Sequence, residues 1–176
     1  MLEKNITKRD AITLMIMLDT GLINYKHYMC WIDEKILKDQ EPALWALELA
    51  TNKNTQSAME HLKTYAFSKP FEDFKLRAFK DEYIACQWLR YKRKEISWST
   101  FLLECGKYAD AHFTRSESKY FFSLYNDIED SAYSLEIEKK QRLDIFKMFS
   151  DVIREVEKKY REFLPYLKKY RETYGL

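Results

Sequence analysis

Between Phe146 and Tyr174 the apolar and aromatic side chains recur in steps of three and four: Phe146, Phe149, Ile153, Val156, Tyr160, Phe163, Leu167, Tyr170 and Tyr174. Only an α-helix brings that spacing onto one face. The residues between them include Arg154, Glu155, Glu157, Lys158, Lys159, Arg161 and Glu162, so one side of this helix needs a surface to cover while the other stays in water. The whole chain of 176 residues carries only 3 glycines and 3 prolines. Long uninterrupted helices are therefore favoured over turn-rich sheets, and the expected class is all-α, a single bundle of about seven to eight helices. In that reading residues 1–134 form the core helices, and 135–176 a long amphipathic helix and tail packed on them.

A chain of this length can bury one sizeable core without a disulfide or a metal. Its 30 basic and 28 acidic side chains leave a formal charge of +2, which sets up no global field that would draw in nucleic acid or an anionic membrane and argues against an acidic DNA mimic. Cys30, Cys86 and Cys105 are odd in number and widely spaced, as expected of reduced core thiols. The uncharged run from Ala11 to Leu18 is too short to cross a bilayer and lacks the exit of a cleavable signal. The expected compartment is the cytoplasm, with no membrane partner.

Capping residues divide the chain. Thr7 with Asp10 predicts a first helix over about 8–20 with Ala11, Leu14, Met15 and Leu18 inward, stopped by Gly21. Ile23-Asn24 restarts it, with Tyr25, Tyr28, Met29, Ile32 and Ile36 facing in. Two short helices follow, one opened by Asp39 or Glu41 with Pro42 in its first turn and one over Thr55 to Ala66, joined by Asn52-Lys53-Asn54. From Ser68 and Pro70 a single long helix is expected, carrying Phe71, Phe74, Ala78, Ile84, Trp88 and Tyr91 to the charged Lys92-Arg93-Lys94-Glu95. Ile96-Ser97-Trp98 then repeats the device of Ile23-Asn24-Tyr25 before the stripe Phe101, Leu102, Cys105 and Ala109. Thr114-Arg115-Ser116-Glu117 reads as a capping box for a helix with Tyr120, Phe121, Leu124, Tyr125 and Ile128 inward. The final helix is expected from near Leu135, with Pro165 bending or ending it.

Metal and acid–base chemistry have little to build on. Asn24, Ala58 and Ala109 stand three residues before His27, His61 and His112, so no Glu-x-x-His pair exists, nor any His-Glu-x-x-His or Cys-x-x-Cys. Phosphate-binding loops and nucleophile elbows need more glycine than Gly21, Gly106 and Gly175 supply. No enzyme activity and no cofactor are expected. Asp110 with His112 is the most suggestive pair, on an expected loop that would aim both at one ligand. Arg90-Tyr91-Lys92-Arg93-Lys94 mixes cations with aromatic rings between Trp88 and Trp98, a pattern met in nucleic-acid binding. Here Trp88 and Tyr91 fall on the inward stripe, which leaves the cations as a solvated helix end. A helix-turn-helix around Gly21 fails on Met17, where a small residue is needed, and on His27, where an apolar one is needed.

Two stretches go beyond generic helix. Leu18-Asp19-Thr20-Gly21-Leu22-Ile23-Asn24-Tyr25, leading to Trp31-Ile32-Asp33, is similar to the start of a bacterial family of small uncharacterised all-helical proteins. Lys107-Tyr108-Ala109-Asp110-Ala111-His112-Phe113, ending in Phe121-Phe122-Ser123-Leu124-Tyr125, resembles that family's tyrosine-alanine-aspartate segment. The resemblance implies immunity proteins of polymorphic toxin systems, which neutralise a cognate toxin by stoichiometric binding. Trp31, Asp33, Trp98, Tyr108, Asp110 and His112 are then the candidate partner-contact residues. The alternative is a structural or regulatory helical protein that forms a homodimer through the seam Phe146, Phe149, Ile153, Val156, Tyr160 and Phe163. So many aromatics are unlike an ideal two-stranded seam, which favours packing onto the same chain.

Overall fold

A computed structural model describes residues 6–74, 76–112 and 115–175, with the side chains of 76–78 and 115–117 left out. The capping box at 114–117, Phe113 and the side chain of Ala78 lie outside these. Among the described residues the fold is all-α, with eight helices: α1 (Lys8–Asp19), α2 (Tyr25–Lys38), α3 (Leu44–Thr51), α4 (Thr55–Ala66), α5 (Leu76–Lys92), α6 (Trp98–His112), α7 (Arg115–Asp130) and the 40-residue α8 (Leu135–Tyr174). Their contacts gather into two compact units, one of Met1–Lys75 with Glu157–Leu176 and one of Leu76–Val156. The boundary between these units falls before α5 and within α8, so α8 contributes residues to both.

In the first unit α1 packs on α4, α2 on α3 and α3 on α4. Thr7 and Asp10 form the expected reciprocal cap, the Asp10 amide donating to Thr7 Oγ1 at 3.1 Å and the Thr7 amide to Asp10 Oδ2 at 3.2 Å. Helix α1 buries more than the expected stripe: Ala11, Ile12, Thr13, Leu14, Ile16, Met17 and Leu18 are all inside. Gly21 stops it at φ +72°, a left-handed turn that glycine takes without a Cβ penalty. Asn24 caps α2 by accepting from the Lys26 amide at 3.1 Å, while its own amide donates to His27 Nδ1 at 3.2 Å. Tyr28, fully buried, donates to the Asn52 carbonyl at 2.7 Å and fixes the α3–α4 loop.

The C-terminal part of α8 seats on the same unit. Phe163 meets Trp31 edge-on at 5.3 Å, Tyr170 meets Tyr25 at 5.8 Å, and Tyr160 lies 6.2 Å from the His27 ring. Lys159 donates to Thr13 Oγ1 at 3.2 Å, and Lys169 reaches Glu34 at 2.6 Å. The proposed dimer seam is therefore largely spent within one chain: Ile153, Val156, Tyr160 and Phe163 are buried, whereas Phe149 is half-buried and Phe146 remains 37 % exposed. Pro165 neither ends nor breaks α8. Its ring removes the bond to the Arg161 carbonyl, but Arg161 and Pro165 both face solvent, where water satisfies that carbonyl, and Leu167 and Tyr170 anchor the turns beyond.

Two short expectations are corrected here. Pro42 precedes α3 rather than opening it, and Asp39 ends α2, its carboxylate accepting from the Glu41 amide at 3.1 Å. Phe71 and Phe74 lie before α5, which starts at Leu76. The buried Lys8 ammonium takes the carbonyls of Ser68, at 2.5 Å, and of Pro70. These bonds tie the segment before α5 to α1.

In the second unit α5 packs on α6 and α6 on α7. Trp98 stacks on Phe101 at 4.7 Å, and Trp88 lies 6.1 Å from Trp98 and 5.7 Å from Phe146. Gln141 of α8, itself buried, accepts from Trp98 Nε1 at 2.8 Å and donates to the Leu124 carbonyl at 3.0 Å, joining α6, α7 and α8 through one side chain. The α5–α6 joint has the same local form as the α1–α2 joint, as the sequence expects. Lys94, at φ +60°, stands three residues before the cap Ser97, as Gly21 stands before Asn24, and Ser97 Oγ accepts from the Thr100 amide at 3.1 Å.

Candidate recognition surfaces

The residues chosen from sequence separate into inside and outside. Trp31 and Trp98 are each 3 % exposed. They are core, held by Phe163 and by Phe101 with Gln141, which takes both off any contact face. Asp33, two residues after Trp31, faces solvent, because a step of two on a helix turns a side chain through about 200°. Partial burial raises the Asp33 carboxyl, opposed by the nearby Lys169, while the hydrogen bond from Lys169 lowers neighbouring Glu34.

Tyr108, Asp110 and His112 lie in the last turns of α6, not on a loop. The same two-residue step sends Asp110 and His112 apart. Tyr108 and His112, four residues apart, stack at 4.4 Å, and Tyr83 of α5 lies parallel to Tyr108 at 3.6 Å, so three rings form a column. Asp110 instead accepts from Ser118 Oγ of α7 at 3.3 Å. The expected convergence on one ligand is absent. Trp31 and Asp33 belong to the first unit, and Trp98, Tyr108, Asp110 and His112 to the second.

The more exposed apolar surface lies elsewhere. Helix α3 reads Leu-Trp-Ala-Leu-Glu-Leu-Ala-Thr, with more apolar side chains than one helical face can bury. Ala46 and Leu49 go inward, while Leu44 is 69 % and Leu47 40 % exposed. Leu37 at the end of α2 is 84 % exposed, and Phe67 and Phe71 after α4 also stand in solvent. A cleft of about 160 Å³ opens beside α3, lined by Ile32, Ile36, Pro42, Trp45, Ala46 and Tyr65. Trp45 stacks on Tyr65 at 4.7 Å, and the Tyr65 hydroxyl donates to the Ile6 carbonyl at 2.7 Å. Burial raises the Tyr65 phenol above its ordinary value. None of these residues was selected from sequence. The excess of Leu and Trp in α3 was the signal that pointed to them.

The second unit has a cleft of a different character at the α5–α6 joint. It encloses about 560 Å³ and is lined by Tyr91, Lys92, Lys94, Glu95, Ser97 and Arg142 among others. As expected, Trp88 is buried and Lys92, Arg93 and Lys94 are exposed. Arg142 lies 5.6 Å over the Tyr91 ring and 3.9 Å from Glu138, to which the Tyr91 hydroxyl also donates. Burial, with Glu138 adding to it, pushes the Tyr91 phenol up to about 12.

Among the described residues no group of three or more His, Cys, Asp or Glu could hold a metal ion, and no helix is long and apolar enough to cross a membrane. Cys30, Cys86 and Cys105 are buried and not joined in disulfides, and burial raises the Cys30 and Cys105 thiols. Compared with protein-family models, with curated proteins and with solved structures, the chain matches none.

Proposed function

We propose that this chain is a protein-recognition module of immunity type, which holds a cognate bacterial toxin in a stoichiometric complex. The apolar side chains around α3 carry the reading. Leu37, Leu44 and Leu47 stand in water beside a cleft whose Trp45–Tyr65 stack is already ordered. Grouped exposed apolar side chains mark interaction faces, and a preformed aromatic cleft needs little ordering when an anchor enters it. Covering a leucine as exposed as Leu44 contributes about 1.5–3 kcal/mol. Leu37 and Leu44 at that exposure, with Leu47 contributing less, are enough to centre an interface without any reacting group. The resemblance at Leu18–Tyr25 and Lys107–Phe113 supplies the toxin as partner. Inhibition then consists of covering or distorting the toxin's active site.

The test is co-expression with the product of a neighbouring gene that carries a toxin domain. The intact protein is expected to co-elute with that product at fixed stoichiometry and to relieve its toxicity. The double variant Leu44→Lys, Leu47→Lys is expected to keep its helix content and lose both. Absence of co-elution and of relief with the unmodified protein refutes the proposal, and an unaffected double variant moves the contact face away from α3.

A further inference from the structure

The cleft at the α5–α6 joint concentrates positive charge that the protein does not itself neutralise. Five cations border it or flank it: Arg90, Lys92, Arg93, Lys94 and Arg142. Among the described residues two carboxylates, Glu95 and Glu138, pair with three of these cations. Glu95 is held by Arg93 at 2.7 Å and by Arg90 at 3.5 Å. Glu138 takes the Tyr91 hydroxyl and lies 3.9 Å from Arg142. Among the described residues no carboxylate lies within ion-pairing distance of the Lys92 or Lys94 ammonium. Lys94 is moreover kept at φ +60°, a backbone position where glycine is the usual residue.

We infer that this cleft is a binding site for a small molecule carrying phosphate groups, seated between Lys92, Lys94 and Arg142. Ser97 lines the cleft, and its Oγ lies 3.0 Å from Ser99 Oγ and 2.9 Å from Thr100 Oγ1. These groups offer hydrogen bonds to oxygens, and the opening of α6 adds the positive end of its dipole. Glu95 and Glu138 pair with arginines and leave the two lysine charges in surplus, and a multiply charged anion is attracted to them. A nucleic-acid strand fits less well, because it needs free aromatic faces for its bases. Here Arg142 covers the Tyr91 ring, while Trp88 and Trp98 are buried. This inference is independent of the partner proposed for α3.

Titration of the full chain with inorganic pyrophosphate at constant ionic strength, followed by amide chemical shifts, tests it. Saturable shifts confined to the stretch from Tyr91 to Thr100 and to Arg142 are expected. Lys94→Gly removes the ammonium while relaxing the left-handed backbone, so it is expected to melt no lower than the unmodified protein yet bind pyrophosphate at least fivefold more weakly. Lys92→Gln is expected to weaken binding similarly. The inference is overturned by absence of saturable shifts at millimolar pyrophosphate or by equal affinity in both variants. Binding of single-stranded oligo(dT) with steep salt dependence in place of pyrophosphate also overturns it, in favour of nucleic acid.

Discussion

Gln141→Glu keeps the shape of a buried side chain and changes only what its second atom can donate. Gln141 is 4 % exposed, accepts from Trp98 Nε1 at 2.8 Å and donates through Nε2 to the Leu124 carbonyl at 3.0 Å. A protonated glutamic acid can do both. An ionised one keeps and strengthens the Trp98 bond, by about 1 kcal/mol, but sets a carboxylate oxygen against the Leu124 carbonyl and loses that bond, also worth about 1 kcal/mol. Burying the charge costs several kcal/mol more. The net expectation at neutral pH is a loss of about 2–4 kcal/mol.

The folded state binds the proton more tightly, so the introduced carboxyl titrates above its unfolded value near 4.3. The variant therefore approaches the stability of the unmodified protein below about pH 4 and falls away as pH rises through the folded value. Urea midpoints at several pH values, read at the Trp98 indole N–H resonance, measure that gap. Gln141→Leu serves as control. It leaves the indole without an acceptor, at a cost of about 1–3 kcal/mol that does not vary with pH. A Gln141→Glu deficit that stays constant from pH 4 to 7.5 refutes the bridging role assigned to this residue.

Two further outcomes follow from the packing. Phe163→Ala deletes the ring that meets Trp31 and is expected to destabilise the first unit by about 3 kcal/mol, with loss of the near-ultraviolet signal of Trp31 and no change in sedimentation. A shift in oligomeric state instead would restore the α8 seam as a dimer contact. Glu34 is lowered by its hydrogen bond from Lys169, so its stabilising effect is complete above the unfolded glutamate value and disappears as pH falls through the folded one. Glu34→Gln is expected to flatten that acid limb of the stability curve and to leave the neutral-pH midpoint nearly unchanged at high salt.

Local chemistry made much of the architecture readable. Thr7, Asn24 and Ser97 announce helix starts because their side chains satisfy amides that a helix leaves open, and α4 runs from Thr55 to Ala66, where a short helix is expected. Errors arose where a distant group competes for the backbone. Lys8 is 60 residues from Ser68, and no window around Pro70 contains the ammonium that holds this segment against α1. The sites were less legible than the helices. Trp31 and Trp98 carry both an apolar body and a polar handle, so their type is equally compatible with core and contact. Spacing alone does argue against pairing Asp110 with His112, since two residues on a helix diverge once the segment is known to be helical.

By itself the sequence determined that the chain folds as helices, where most of them begin, and which face of α8 is apolar, because period and capping are properties of neighbouring residues. Only the tertiary structure decided what that face meets. Tyr160 and Phe163 find His27 and Trp31 from more than a hundred positions away. It also decided which apolar residues of α3 stay in water, and that among the described residues no carboxylate pairs with Lys92 or Lys94 while Glu95 meets two arginines. Burial and charge balance depend on everything that packs around a residue, and linear order does not contain that information.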